Sequence, residues 1–470
     1  MKPAAVLNLL LKNFPFEPTN AQKNAFAGLS KFITEDSSYK CFLLKGYAGT
    51  GKTTVINSLI KTLIHYDFRV IMLAPTGRAA KVINHYTGDD ASTIHRYLYE
   101  IKSDKNGDIK TKVKPNKYKK QIFIIDESSM ISNEDDKTLF KGASLLSDLV
   151  DHVYSQTDNA IVFIGDTAQL PPVGLQCSPA LDQHFLQNNC QLQVRQYELK
   201  EVVRQQLHSG ILANAHCTRL LLEREERFPR LKTSGFDDVK QVTSSELSEV
   251  LSGYFPSGED NTVSILCRSN KQANRYNEFI RKTFYGFEEA VEKNERLMVV
   301  KNNYFWHESD NANAFIANGD EIKLIRIKKQ EEYFGFRFVN ATIELSDDKS
   351  TRLEVKLLLD TLSSESPALT YDEYKKLFDE VRNHYRKADG KVNMRKLRED
   401  PYLNALQVKY AYAITGHKAQ GGQWETVFID PGFMAEEMYG VDYMRWLYTA
   451  ITRARKKVFL INVPDRFFVQ

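Results

Sequence analysis

Eight residues near the start of the chain have the types and spacing of a phosphate-binding loop. Residues 46–53 read GYAGTGKT, which fits G-x-x-x-x-G-K-[ST], and they connect the strand-like run CFLLKG to a helical segment. Glycines allow backbone N–H groups to surround a phosphate, and the start of a helix adds positive potential. A chance glycine-rich loop would not need this strand–loop–helix context. The predicted ATP-binding residues of the loop are Gly46, Gly49, Thr50, Gly51, Lys52, Thr53 and Thr54.

Polar side chains at the ends of this loop and of two later apolar runs complete a hydrolytic site. Lys52 is placed to reach the β- and γ-phosphates, and Thr53 to ligate Mg²⁺. Asp126 and Glu127 follow the run IFII, where the first is placed to hold Mg²⁺ and the second to activate water. Gln169 follows the run AIVFIG and is placed to contact the γ-phosphate. The sequence therefore predicts ATP and Mg²⁺ as cofactors.

Two arginines are candidates for stabilising charge on a transferring phosphoryl group. Such charge needs positive groups from outside the phosphate-binding loop. Arg204 lies in LKEVVRQQ and Arg453 in YTAITRAR, both in the second part of the chain. An arginine on a second domain acts only when the domains close, which would couple hydrolysis to domain movement. The ordinary alternative for each is a surface arginine.

The elements around these residues alternate between strands and helices. This alternation predicts a parallel sheet with ligands at the carboxyl ends of its strands. A second strand–helix pattern begins at TVSILCRSN and resumes at YAYAITGHKAQ, and between them alternating apolar residues predict an inserted β-rich block. The predicted domains are an ATP-binding domain at 1–195, a second α/β domain at 196–310 and 401–470, and an inserted block with a helical arm at 311–400.

A basic segment interrupts the first domain. Residues 99–120 hold eight Lys against three acidic residues. Asn106-Gly107 lies between two alternating runs, which predicts a β-hairpin. The excess charge favours a role facing a nucleic-acid duplex, although a charged run is usually only a solvated loop.

Composition excludes several other classes of protein. The chain has 470 residues, of which 42% are hydrophobic and 26% charged, and its net charge is +4. These values exclude a mainly disordered or collagen-like chain. The sequence contains no run of about 18 apolar residues, so no membrane-spanning helix is predicted. The five cysteines form no CxxC pair, which argues against a disulfide framework or a zinc cluster and favours a reducing, cytoplasmic setting.

Taken in order, the motifs resemble those of superfamily 1 DNA helicases, in the 5′-to-3′ branch that includes RecD and Dda. PTNAQKNAF resembles the adenine-recognition motif, with Gln22 recognising the base. LAPTGRAAKVI and ASTIHRYL resemble motifs Ia and Ib, IDES motif II, GDTAQLPPVG motif III, and YTAITRARKKV motif VI. Arg204 falls in motif IV. Motif V, YAITGHKAQGGQWETVFI, departs from the usual form at Gly416 and at Gly421-Gly422, which leaves the local contacts there open.

The resemblance implies an α/β fold of two RecA-like P-loop NTPase domains. ATP would lie in the cleft between them and single-stranded DNA across their tops. The segment 99–120 matches the place of a strand-separating pin, and the block after residue 310 matches an SH3-like β-barrel, with Trp306 filling its core. The helix at 371–387 is either a tower-like arm or a decoration of this chain. The implied DNA-binding residues are Thr76, Arg78, Ser92, Thr93, His95, Tyr97, Tyr99, Thr415, His417 and Lys418.

The sequence and the resemblance together predict an ATP-dependent DNA helicase that moves 5′ to 3′. Its expected partners are single-stranded DNA and junctions between single and double strands, and no membrane. A monomer is expected, working with other proteins of DNA repair, recombination or replication. Three alternatives stay open: an RNA helicase, an ATP-gated nucleic-acid clamp or loader, and the motor subunit of a larger complex.

Overall fold

The computed structural model describes residues 1–87, 91–103, 109–133, 144–201, 209–255, 262–306, 316–345, 348–388 and 390–469. Among these residues the chain forms two parallel sheets flanked by helices, a closed barrel and a two-stranded hairpin. This is the predicted mixed α/β class, with parallel sheets like those of RecA-like domains and a barrel insertion.

Six strands of the described chain make the first sheet, in the order β3-β2-β6-β7-β1-β8. Each neighbouring pair is parallel. The strands are β1 (Lys40–Gly46), β2 (Arg69–Ala74), β3 (Ser92–Thr93), β6 (Gln121–Ile125), β7 (Ala160–Gly165) and β8 (Gln193–Leu199). The strand β8 continues past the boundary predicted at 195, because it pairs with β1 along its whole length.

Helices cover both faces of this sheet, so apolar clusters form above and below it. The helices are α1 (Pro3–Asn13), α2 (Asn20–Thr34), α3 (Lys52–His65), α4 (Gly77–Thr87), α5 (Ile94–Leu98), α6 (Leu145–Tyr154) and α7 (Gln183–Asn188). Burial on both faces explains why the central strands are continuous apolar runs.

A hairpin leaves the first domain after α5. The strands β4 (Tyr99–Ser103) and β5 (Ile109–Val113) pair antiparallel, with Tyr99 opposite Val113. The segment 99–120 therefore contains the hairpin that its alternation predicts. The predicted tip, Asn106-Gly107, lies outside the described residues.

The second sheet has the order β16-β10-β17-β18-β9 within the described ranges, and its pairs are also parallel. Its strands are β9 (Val239–Val242), β10 (Val263–Cys267), β16 (Ala413–Thr415), β17 (Trp424–Asp430) and β18 (Ala454–Ile461). Its helices are α8 (Gly210–Glu223), α9 (Leu247–Ser252), α10 (Asn270–Ile280), α13 (Gly416–Ala419) and α14 (Val441–Ile451).

The inserted block is a closed barrel with two helices attached. Its strands are β11 (Arg296–Val299), β12 (Glu321–Tyr333), β13 (Phe336–Leu345), β14 (Asp348–Leu358) and β15 (Leu406–Tyr410), and the helices are α11 (Tyr371–His384) and α12 (Met394–Arg398). Two of these strands lie outside the predicted limits of 311–400, because β11 pairs with β15 to close the barrel. Trp306 packs against the barrel core, as predicted.

Among the described residues no helix is both long enough and apolar enough to span a bilayer. All five cysteines lie in the described ranges and are free thiols.

Candidate functional site

The phosphate-binding loop lies between β1 and α3, where its backbone turns sharply. Gly49 and Gly51 have φ of 75° and 81°, a left-handed conformation that a side chain disfavours. Lys52 lies at the start of α3, and its Nζ donates to the carbonyls of Gly46 (2.5 Å) and Tyr47 (2.9 Å). The ammonium group is therefore held inside the loop, where a phosphate would accept its hydrogen bonds.

Two carboxylates lie beside this lysine at the carboxyl end of β6. Burial raises the pKa of Asp126, while the backbone N–H of Glu127 (2.7 Å) and the charge of Lys52 lower it. Burial also raises the pKa of Glu127, and Asp126 adds to that rise by repulsion. Glu127 has φ of 50°, a strained conformation for a residue other than glycine. A divalent cation would stabilise such a pair of half-buried carboxylates.

The donor set fits Mg²⁺. This ion takes oxygen ligands and is usually held by one or two carboxylates together with phosphate oxygens. The carboxylate of Asp126 and the exposed hydroxyl of Thr53 supply such oxygens. Within the described ranges no cluster of three or more His, Cys, Asp or Glu offers a complete metal cage. The arrangement suits an ion that arrives with a nucleotide.

Arg453 reaches this site from the second domain. It lies just after α14, is 5% exposed, and its Nε donates to the carbonyl of Thr449 (3.1 Å). Its charge lowers the pKa of Glu127, so the guanidinium lies near enough to that carboxylate of the first domain for the two charges to interact. Gln169 lies in the same interface, where its buried Oε1 has no hydrogen-bond partner among the described residues. Arg204, the other predicted arginine, lies outside the described residues.

The side chain of Gln22, predicted to recognise the base, makes its hydrogen bonds within the protein. It is 2% exposed. Its Nε2 donates to the carbonyl of Thr50 (3.0 Å), and its Oε1 accepts from the backbone N–H of Thr19 (2.9 Å) in the capping box of α2. In this structure Gln22 supports the phosphate-binding loop. Recognition of adenine by this residue would require these hydrogen bonds to rearrange.

Tyr448 is a site residue that sequence reasoning missed. Its hydroxyl accepts from the backbone N–H of Ala48 in the phosphate-binding loop (2.9 Å) and donates to Asp166 Oδ2 (2.7 Å). It is 1% exposed. Tyr448 is the first residue of YTAITRARKKV, the motif that also contains Arg453. Its position in that motif, more than one helical turn before the arginine, was the available sequence signal. The hydroxyl joins the two domains at the centre of the cleft.

The segment after β7 makes another contact between the two domains. The backbone N–H of Leu170 donates to Thr449 Oγ1 (2.9 Å), and Gln420 Nε2 donates to the carbonyl of Leu170 (2.7 Å). Gln420 immediately follows α13, the short helix that contains His417 and Lys418. This segment therefore connects the nucleotide cleft with the carboxyl edge of the second sheet.

Tyr47 makes a second connection that sequence reasoning missed. Its hydroxyl lies within hydrogen-bonding distance of Glu198 (2.8 Å) and of Glu223 of α8 (3.0 Å), and the guanidinium of Arg219 lies 4.2 Å from its ring centroid. Burial and the two carboxylates raise the pKa of Tyr47. The residue occupies an unspecified position of the loop pattern, so the pattern contains no signal for it.

Several predicted DNA-binding residues of the first domain cap helices or pack in its core. The hydroxyls of Thr76 and Thr93 accept backbone N–H groups at the starts of α4 and α5, and Thr93 is fully buried. The ring of Tyr97 packs against Phe123 (5.8 Å). Tyr99 donates to Asp148 (2.6 Å). These side chains hold the first domain together.

The other candidates of the first domain lie near that group. Ser92 is half-buried, and its hydroxyl lies 3.4 Å from the carbonyl of Thr93. The ring of His95 lies 5.9 Å from that of Tyr99. The structure brings both residues to the carboxyl end of β2, where Ala74 pairs with Thr93.

Arg78 lies at a junction of three parts of the molecule. Its guanidinium is 4.3 Å from the ring centroid of Trp424 and 3.6 Å from Glu321 of the barrel. A Cβ on Gly422 would lie 2.6 Å from Arg78 Cζ, and one on Gly421 would lie 3.1 Å from Ala79 Cβ. The two glycines that depart from the usual motif V thus allow this loop to approach α4.

The predicted residues of motif V lie together at the carboxyl end of β16. Thr415 ends the strand and is buried, whereas His417 is exposed. Lys418 Nζ donates to the carbonyl of Pro367 (3.3 Å). Burial, and then repulsion from Lys409, lowers the pKa of Lys418 to about 7.

Comparison with known proteins agrees with this geometry. Residues 20–220 match the family model of an AAA domain, and residues 410–461 match that of the UvrD-like helicase C-terminal domain. The chain is 26% identical over 466 residues to the ATP-dependent DNA helicase dda of Enterobacteria phage T4, covering 94% of this chain and 99% of that one. It is 29% identical over 157 residues to the ATP-dependent RecD2 DNA helicase of Deinococcus radiodurans, covering 33% of this chain and 19% of that one.

A longer relative is the uncharacterized protein MJ1519 of Methanocaldococcus jannaschii. It is 27% identical over 476 residues, which cover 89% of this chain and 36% of that protein, so this chain spans about a third of its length. Among solved structures, Pif1 helicase from Candida albicans aligns with 96% of this chain and 95% of its own, at 16% identity and a TM-score of 0.49.

Proposed function

Because the chain belongs to the superfamily 1 helicases, in the 5′-to-3′ branch with RecD and Dda, we propose that it is an ATP-dependent DNA motor. It moves 5′ to 3′ along single-stranded DNA and separates the strands of a duplex at junctions. Mg²⁺ is its second cofactor, and it works as a monomer. Its setting is DNA repair, recombination or replication.

One observation carries this proposal. Arg453 of the second domain lies near enough to Glu127 of the first to lower its pKa, and Tyr448 of the same motif hydrogen-bonds to Ala48 and Asp166 of the first domain, so the hydrolytic residues are divided between two domains. A site of this kind is complete only when the domains are closed. Hydrolysis and release of phosphate remove the charge that Arg453 stabilises, and the domains can then separate. A P-loop enzyme that only transfers phosphate to a small molecule would not need this division.

Each residue of the cleft has a defined part. Lys52 would exchange its two carbonyl partners for phosphate oxygens, and Thr53 and Asp126 would hold Mg²⁺. That ion, when bound, neutralises phosphate charge. Glu127 accepts the proton of the attacking water, and its raised pKa makes it a stronger base than an exposed glutamate. Arg453 and Gln169 contact the γ-phosphate side from the interface.

The contacts between the domains provide a path from the cleft to the strand. Leu170 lies one residue after Gln169 and is held by Gln420, which follows α13. A change at the γ-phosphate position therefore reaches His417 and Lys418 through a short covalent and hydrogen-bonded path. We infer that this path changes the grip on DNA in each ATP cycle.

Strand separation on two substrates tests the proposal. One duplex has only a 5′ single-stranded tail and the other only a 3′ tail, and each is mixed with the protein, ATP and Mg²⁺. We expect separation of the 5′-tailed duplex alone. Separation of the 3′-tailed duplex alone would contradict the direction of movement. DNA-stimulated ATP hydrolysis with no separation of either would favour a clamp or a motor subunit, and a matching set with RNA tails tests the RNA alternative.

A further inference from the structure

Phe433 is the most exposed large apolar side chain in the described part of the protein, with 92% of its surface accessible. A single exposed apolar residue is ordinary on a protein surface. This one differs because the backbone on both sides of it is anchored, so the ring is presented to solvent from a fixed position.

The anchor before Phe433 is a turn at the end of β17. Asp430 is buried, and its carboxylate accepts the backbone N–H of Gly432 (2.7 Å) and the hydroxyl of Tyr276. Gly432 has φ of 70°, and a Cβ at this position would lie 3.0 Å from Gln272 Oε1. The turn therefore requires glycine and lies directly against α10.

The anchor after Phe433 is Met434. Its side chain packs against the apolar core of the second domain, and its sulfur contacts the guanidinium of Arg268. The backbone before Phe433 is thus held by Asp430 and the side chain after it packs against the core, while Phe433 itself is exposed. Such an arrangement keeps an aromatic face available without cost in ordering the loop when a ligand binds.

Phe433 lies on the same edge of the second sheet as motif V. Cys267, at the end of β10, pairs with Thr415 on one side and with Asp430 on the other. The segment that continues from Cys267 is basic, since residues 262–275 contain Arg268, Lys271 and Arg275 and no Asp or Glu. Two acidic residues follow Phe433 in its own loop, of which Glu436 is paired with Arg466 and Glu437 is exposed. An exposed aromatic ring beside cationic side chains is the combination that binds single-stranded nucleic acid without sequence preference.

We propose that Phe433 is a base-stacking residue of this edge, whose ligand is one base of single-stranded DNA. The inference rests on the proposed function and extends it to a residue that no motif contains. Stacking on a π-face tolerates every base, as a translocating protein requires. The cationic neighbours supply the phosphate contacts, and Phe433 supplies contact with the base.

Binding of fluorescently labelled oligo-dT, followed by anisotropy at fixed salt, tests the assignment. Phe433→Ala should weaken binding about tenfold, and Phe433→Trp should restore it. Phe16→Ala is the matched control, because Phe16 is 60% exposed in the segment between α1 and α2, and it should bind as the wild type does. Circular dichroism confirms that each variant is folded.

A second readout observes the contact itself. Oligo-dT should quench the additional tryptophan fluorescence of Phe433→Trp and leave that of Phe16→Trp unchanged. If the wild type binds oligo-dT but Phe433→Ala binds equally tightly, the assignment is wrong. The exposed ring would then be a candidate contact for a protein partner instead of DNA. If the wild type itself does not bind oligo-dT, the proposed function fails first.

Discussion

The proposed nucleotide cleft and the proposed strand-binding surface differ in how many of their contacts depend on particular side chains. In the cleft, Lys52, Asp126 and Arg453 come from separate motifs and converge on one place. At the strand-binding surface, Thr93 is a buried helix cap and Arg78 joins three parts of the molecule. A triphosphate with a metal ion needs fixed groups at fixed positions, whereas binding a strand of any sequence needs only phosphate contacts and stacking faces. Sequence motifs therefore predict the residues of a nucleotide site more accurately than those of a surface that binds single-stranded DNA.

Among the variants of the first domain, the largest effect should come from Lys52→Ala. Loss of its ammonium group should lower ATP hydrolysis about 100- to 1,000-fold, since a positioned positive group is lost from the transferring phosphate. Binding of single-stranded DNA should persist, because Lys52 lies in the cleft. Lys61→Ala, on the exposed side of the same helix, is the control. Hydrolysis at wild-type rates in Lys52→Ala would show that ATP is not hydrolysed in this cleft.

A smaller effect should appear in the pH dependence of DNA binding. Since the pKa of Lys418 is about 7 in the free protein, the side chain is charged below pH 7 and neutral above it. A phosphate partner favours the charged form, so binding above pH 7 takes up a proton. Affinity should fall from pH 7 to pH 8.5, by at most about tenfold per pH unit.

Lys418→Arg is the control for that titration, because arginine stays charged throughout this range. The pH dependence between 7 and 8.5 should become flatter in this variant. His417 is exposed, but the protein around its ring partly desolvates it and lowers its pKa below the ordinary value, so the imidazole is already neutral there. An unchanged pH profile in Lys418→Arg would show that Lys418 does not bind the phosphate.

The smallest effect on DNA binding should come from Thr93→Ala. Its hydroxyl caps α5 (3.2 Å to the backbone N–H of Arg96), so its loss should cost about 1 kcal/mol of stability. Thermal unfolding measures that loss, and anisotropy with oligo-dT should show little change. Ser92→Ala removes the neighbouring hydroxyl and keeps the cap. Tenfold weaker binding with unchanged unfolding in Thr93→Ala would make Thr93 a DNA contact after all.

Much of the fold could be predicted because its signals are local. The apolar runs that become β6 and β7 are buried on both faces of a parallel sheet, and the alternation around Asn106-Gly107 predicts paired strands. Closure of the barrel was less predictable. The strands β11 and β15 are short, and their pairing joins segments more than 100 residues apart. Periodicity within a segment contains no information about such a partner.

The same distinction applies to the candidate site. Lys52 and Glu127 belong to patterns in which type and spacing imply chemistry. Tyr47 and Tyr448 act through partners in the other domain, and the hydroxyl of each becomes meaningful only when the domains meet. Gln22 is predicted to recognise the base, and its hydrogen bonds to Thr19 and Thr50 also support the phosphate-binding loop, which residue spacing could not indicate.

The central claim is that one ATP site is shared by two domains. The most direct measurement is the steady-state rate of ATP hydrolysis by Arg453→Ala with saturating single-stranded DNA, beside Arg455→Ala, whose side chain is exposed and contacts Gln423. We predict a fall of about 1,000-fold in kcat for Arg453→Ala and a rate within a few-fold of wild type for Arg455→Ala. ATP binding, followed with a fluorescent analogue, should persist in both. Hydrolysis by Arg453→Ala at the wild-type rate would contradict the claim and leave the site within the first domain.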